Sequence, residues 1–111
     1  MMLIPNASAT IIAEEKLRGY VLMPEHVRGG DKSAFLMRLG YNREHWELLE
    51  EALRTQHLTL DAREEGSTEW GRMFVIEGPI TGPNGRQRMV RSVWIIRHGE
   101  ENPRFVTVYP I

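Results

Sequence analysis

The run R-M-F-V-I-E-G-P-I-T-G-P-N-G-R-Q-R-M-V-R-S-V-W-I-I-R, residues 72–97, decides the fold. Both flanks are rich in β-branched and aromatic side chains, which suit a pleated, half-buried surface, and T-G-P-N-G-R between them (81–86) is dense in turn formers. The pattern predicts an antiparallel hairpin. On its C-terminal side R-F-V-T-V-Y-P-I (104–111) alternates polar and apolar and predicts a last strand. On its N-terminal side H-L-T-L-D-A (57–62) alternates in the same way and predicts a first strand.

Upstream the period lengthens. A-E-E-K-L-R-G-Y-V-L (13–22) sets Leu17, Tyr20 and Val21 at helical spacing, with Glu14 and Glu15 in the first turn where the helix dipole favours acids. That helix should end near Leu22, because Pro24 pushes its predecessor toward extended geometry. D-K-S-A-F-L-M-R-L-G (31–40) predicts a second helix, capped by Asp31, burying Ala34, Phe35, Leu36 and Leu39, and closed by Gly40. Asn42 reads as the cap of a third, R-E-H-W-E-L-L-E-E-A-L-R-T (43–55), with Trp46, Leu49 and Leu53 on one stripe and its acids in water. Helices first and strands second predict an α+β fold, with N-terminal helices packed on one face of a four-stranded antiparallel sheet. The expectation is a single domain over residues 1–111, helical over about 10–56 and sheet over about 57–111.

Composition narrows the function classes. The 111 residues are 41% hydrophobic and 26% charged, enough for one modest core. The absence of cysteine removes disulfide scaffolds, thiolate zinc sites and cysteine nucleophiles. The opening M-M-L-I-P-N-A-S-A-T lacks a basic region and its apolar run stops at Pro5, unlike a secretory signal, and no run approaches the roughly 20 apolar residues of a membrane span. The expected home is the cytoplasm, or a module of an exported toxin, with no membrane partner. A net charge of −1 argues against coating nucleic acid by charge alone. Charge is nevertheless unevenly spread: Tyr41 to Glu69 holds three arginines and eight acids, whereas Arg86 to Arg104 holds five arginines and two acids. Such asymmetry focuses an anion on one surface, or simply marks the solvated faces of a helix and a hairpin.

The chemistry-bearing residues lie in two groups. In P-E-H-V-R-G-G-D-K-S-A-F (24–35), His26 offers an imidazole for proton transfer, Lys32 a cation for a phosphate, and the glycines a backbone that a ligand approaches closely at a helix start. G-G-D-K lacks the spacing of a Walker loop, and the plainer reading is a capped helix start with a surface histidine. In F-V-T-V-Y, period two sends Phe105, Thr107 and Tyr109 to one face and Val106 and Val108 to the other, so Thr107 and Tyr109 stand on the open face if the valines face the helices. Arg91 and Ser92 must point to opposite faces, and only the hairpin register decides which one joins them. His45 and His57 read as solvated or capping groups, and His98 as a loop residue able to act as a second proton-transfer group. No pair of histidines has metal-ligand spacing, so neither cofactor nor metal is expected. Trp46, Trp70 and Trp94 read as core, with Trp70 beside Gly71 placed to be exposed and to stack on a base.

L-I-P-N-A (3–7), K-L-R-G-Y-V-L (16–22), P-E-H-V-R-G-G-D-K-S-A-F (24–35), R-S-V-W-I-I-R-H-G (91–99) and P-R-F-V-T-V-Y (103–109) together resemble a family of small bacterial domains of unknown function, with a P-x-H-x-x-G-x-x-K-A-like core. Ser33 stands where that core has alanine, and Asp31 where it is often basic. More remotely, helices before a four-stranded sheet with His, Lys and a Thr-x-Tyr end strand are similar to ribonuclease toxins related to barnase and the colicin nucleases. That resemblance implies an endoribonuclease without metal or cofactor, a bacterial toxin module with His26, Lys32, Arg91, Thr107 and Tyr109 at its site, and RNA and a cognate small inhibitor protein as partners. The alternative is a non-enzymatic protein-binding module, immunity- or antitoxin-like, using the acidic helix 43–56. A structural module of a phage or secreted assembly is a third.

Overall fold

The computed structural model describes residues 1–24 and 30–111, the side chains of residues 30–32 excepted. Helix α1 (Glu14–Lys16) continues as a wider, π-wound stretch, Leu17–Val21, and stops one residue before the expected end. Helix α2 spans Gly30–Arg38, so Asp31 lies in its first turn rather than before it. Gly40 closes α2 at φ +98°, with its own N–H and that of Tyr41 returning to the carbonyls of Met37 and Leu36. The Asn42 side chain accepts the His45 N–H at 2.9 Å and starts the short 3₁₀ turn Arg43–His45, which leads into α3 (Trp46–Ala52) and a π-wound extension, Leu53–His57.

Four strands follow in a simple antiparallel meander, β1 (Arg63–Ser67), β2 (Gly71–Thr81), β3 (Gln87–Arg97) and β4 (Arg104–Pro110). With the three helices before them they make the α+β fold. The β2–β3 hairpin is in register from Gly71 opposite Arg97 to Thr81 opposite Gln87. Its loop is held by Gly82 N–H to the Arg86 carbonyl, and Asn84 donates to the Arg38 carbonyl at the end of α2.

Period two then sorts the hairpin. Phe74, Ile76, Ile80, Val90, Trp94 and Ile96 face the helices and are buried with Leu17, Val21, Leu36, Leu49 and Leu53. Each such side chain contributes about 1.5–3 kcal/mol by leaving water. Trp94 and Phe105 meet edge to face with ring centroids 5.3 Å apart. Among the described residues, no helix packs across the opposite face of the sheet.

Three expectations fail here. Residues 57–62 are not the first strand: the π-wound turn prolongs the α3 helix to His57, and β1 begins at Arg63. Leu58 and Leu60, which produced the alternation, pack beside the helix end instead. In α2 Ala34 is exposed and Ser33 takes the buried position. In β4 the pairing slips between Val93 and Trp94, so Thr107 stands opposite Val93 while Phe105 stands opposite Trp94. The extra residue, Val106, breaks period two, as a bulge does. Phe105 and Val108 therefore face the core, three apart, and Phe105 does not share the face of Thr107 and Tyr109.

Candidate functional site

The register answers the choice between Arg91 and Ser92. Val90, Ser92 and Trp94 are fully buried against the helices, which sends Arg91 to the uncovered face. Arg91 lies opposite Glu77 on β2 and opposite Tyr109 on β4. Its Nε donates to Glu77 Oε2 at 2.8 Å, Nη2 donates to the same oxygen, and Nη1 donates to the Tyr109 hydroxyl at 3.2 Å. The guanidinium carbon also sits 5.7 Å from the Tyr109 ring centroid, within cation–π reach. Bonds to Tyr109 and Glu77 strengthen its hold on its proton, so Arg91 is a permanent cation.

Glu77 is the complementary group. The hydrogen bond from Arg91, with the charges of Arg91 and Arg63, holds its carboxyl below the usual carboxylate range. Arg63 on β1 reaches it at 3.8 Å. Both partners keep about a third of their side-chain surface in solvent, 32% for Arg91 and 31% for Glu77, so an anion arriving from water can compete for the guanidinium. Thr107 stands two pairs along, opposite Val93. Its Oγ1 is buried and has no hydrogen-bond partner among the described residues. A donor left so is expensive unless something outside the fold satisfies it.

Arg91, Thr107 and Tyr109 are thus brought together on one face of β3 and β4. His26 lies outside the described residues, as does the Lys32 side chain, while the Lys32 backbone belongs to α2. Helix α2 touches β4, the edge strand that carries Thr107 and Tyr109.

The remaining histidines divide sharply. His45 is exposed, and the exposed His98 ring bonds to the Thr68 carbonyl at 3.1 Å. His57 is fully buried, contrary to the solvated or capping role expected of it. Its Nε2 lies 3.2 Å from the Gly78 carbonyl, which can only accept, so Nε2 carries the proton and Nδ1 accepts. The Ser92 hydroxyl, 2.7 Å from Nδ1, therefore donates to the ring, while its oxygen accepts from Trp94 Nε1 at 2.9 Å. Burial lowers the proton affinity of His57, opposed in part by the Gly78 carbonyl. This chain of three polar groups sits on the helix side of the sheet, away from Arg91. Among the described residues, no three His, Asp or Glu side chains converge to hold a metal ion.

Glu77 was not anticipated. Its signal was present, since a hairpin folded about 81–86 puts position 77 opposite 91, but a Glu inside a strand-like run reads only as an outward-facing polar residue until that register is fixed.

The fold has a counterpart among solved structures. A chain from a "Contact-dependent growth inhibition toxin - immunity protein complex from Klebsiella pneumoniae 342" is similar over 94% of this chain and 95% of that one, with a TM-score of 0.63 and 16% sequence identity. At that identity the likeness concerns the fold. No curated protein matches the sequence. The family model of the domain of unknown function DUF6883 matches residues 3–111, and the chain belongs to that family.

Proposed function

We propose that this chain is an RNA-cleaving module of the toxin type, with its site on the uncovered face of the sheet around Arg91. The supporting observation is the Arg91–Tyr109 contact across β3 and β4, beside the Glu77 carboxylate. A phosphodiester needs a fixed cation and hydrogen-bond donors, and these side chains supply them from rigid strands. The similarity to a chain of a toxin–immunity complex is consistent with such a role.

In this reading a ribose 2′-oxygen attacks the neighbouring phosphorus and the bond to the 5′-oxygen breaks, leaving a 2′,3′-cyclic phosphate and a 5′-hydroxyl. Arg91 and Lys32 offset the charge that builds on the phosphoryl oxygens. Tyr109 donates to the same oxygens and orients them, and Thr107, its Oγ1 buried, supports the strand beside them. When the phosphate draws Arg91 away from Glu77, the carboxylate loses the interaction that keeps its proton affinity low and becomes able to take the 2′-hydroxyl proton. His26, outside the described residues, is assigned the return of a proton to the leaving oxygen. Purified wild-type protein should produce cyclic-phosphate ends on a single-stranded RNA, and His26→Ala and Arg91→Ala should each lower the rate by about 100-fold or more. Equal rates for wild type and both variants would remove the proposal.

A second reading keeps the chain as a binding partner. Glu44, Glu47 and Glu51 are exposed along the third helix, with Leu48 45% exposed among them. That face suits a basic protein surface. Protection of cells against a co-expressed toxin, lost on reversing these three charges, would favour it over the nuclease.

A further inference from the structure

Trp70 is 69% exposed, unusual for so large an apolar side chain, and it is not loosely held. It lies in the tight turn between β1 and β2, where the Thr68 N–H donates to the Gly71 carbonyl at 2.8 Å. Its own N–H donates to Thr68 Oγ1 at 3.1 Å, and its carbonyl accepts from the His98 N–H at 3.1 Å. Gly71 behind it packs so closely on β3 that a Cβ there would sit 2.2 Å from the Ile96 carbonyl oxygen. The backbone of the turn is clamped, and the indole is presented from it at little further entropic cost.

Beside the indole is a cleft of about 590 Å³ with a floor of Met73, Ile95 and Val106 from the uncovered sheet face. Lys16, Arg97 and Arg104 rim it. Arg104 is held by Glu100 through two hydrogen bonds, whereas Lys16 and Arg97 have no ion-pair partner among the described residues. The cleft volume is that of a site for a small planar group, and its concavity is unlike the broad patch of about 800 Å² per partner that a stable protein interface needs. An exposed indole, an apolar floor and two cations outside any close ion pair among the described residues, with Lys16 over the Tyr20 ring at 5.4 Å and Arg97 near the Glu100 charge, are the parts with which proteins hold one unstacked base and its flanking phosphates.

Resting on the reading that RNA lies across this face, we infer that the Trp70 cleft is a nucleobase subsite for single-stranded nucleic acid, with Lys16 and Arg97 on the adjoining phosphates. Ile95 is four residues from Arg91 along β3, about 13 Å, so a few extended nucleotides connect the subsite to the scissile position. The substrate class is therefore an unpaired segment several nucleotides long, since a paired base could not enter the cleft.

The test uses hexadeoxyadenylate, which has no 2′-hydroxyl to attack and so reads binding apart from cleavage. Trp94 is fully buried and Trp46 half-buried, so added oligonucleotide should quench mainly Trp70 fluorescence. By fluorescence anisotropy of labelled hexamer, Trp70→Ala should bind about 5- to 100-fold more weakly at unchanged thermal stability, and Trp70→Phe should retain most of the affinity. Arg97→Ala should weaken binding and flatten its salt dependence by about one phosphate contact. Equal binding by wild type and Trp70→Ala, or no binding by either at low salt, overturns the subsite, as does self-association or protein capture through Trp70 in place of oligonucleotide binding. RNA cleavage that is insensitive to Trp70→Ala on long and short substrates removes the subsite and leaves the nuclease. Binding of the hexamer that depends on Trp70, with RNA left uncut, keeps the subsite and removes the nuclease.

Discussion

At Ser92 one hydroxyl serves two buried neighbours, donating to His57 Nδ1 and accepting from Trp94 Nε1. Ser92→Ala would leave both unpaired in a region without water access, at about 1–3 kcal/mol for each. Denaturant unfolding should therefore show a lower midpoint with an unchanged slope. His57 adds a pH dependence of definite sign. Burial, partly opposed by the Gly78 carbonyl, lowers its proton affinity from the ordinary 6.5, so below that pH the unfolded chain binds a proton that the folded chain does not. The stabilisation is complete above about pH 6.5 and is lost as pH falls toward the folded value, with a slope of at most about 1.4 kcal/mol per pH unit. His57→Leu should flatten that part of the stability profile, and an unchanged slope would show that His57 is not its source. Neither role was legible in the sequence, because a histidine at the head of an alternating run carries no mark of burial.

Helix ends and turns were the elements that the chain spelled out most clearly. Asn42 caps and Gly40 stops a helix through short-range geometry, and the turn formers of 81–86 fix the β2–β3 hairpin. What went unread depended on partners distant in sequence. R-E-E-G-S, the real β1, is exposed throughout and has no apolar alternation, while Leu58 and Leu60 imitate a strand from the end of a helix whose last turn widens. The bulge at Val106 is set by pairing with β3. For the site, the placement of Thr107 and Tyr109 followed from local pattern, whereas the partner of Arg91 required the register. The loop of the hairpin is also an anchor: a Cβ on Gly82 would lie 1.9 Å from the Leu39 carbonyl oxygen. Gly82→Ala must push the loop off the end of α2, and should cost about 1–3 kcal/mol by thermal unfolding. Gly85, at φ +85° with open space around it, should tolerate replacement by Asn far better than by Val.

For the whole molecule, the helices and their acids lie on one side of the sheet, and the other side is left uncovered with Arg63, Glu77, Arg91, Thr107 and Tyr109 near its middle and Trp70 at one end. The two functional readings need different surfaces: a nuclease uses the bare sheet, a binding partner the third helix. Chemical-shift perturbation of ¹⁵N-labelled protein on titration with hexadeoxyadenylate distinguishes them most directly. Shifts should concentrate at Trp70, Arg91, Val93, Ile95, Arg97, Thr107 and Tyr109 and leave Glu44 to Glu51 unmoved. Shifts confined to the third helix, or none anywhere at low salt, would contradict the nuclease reading.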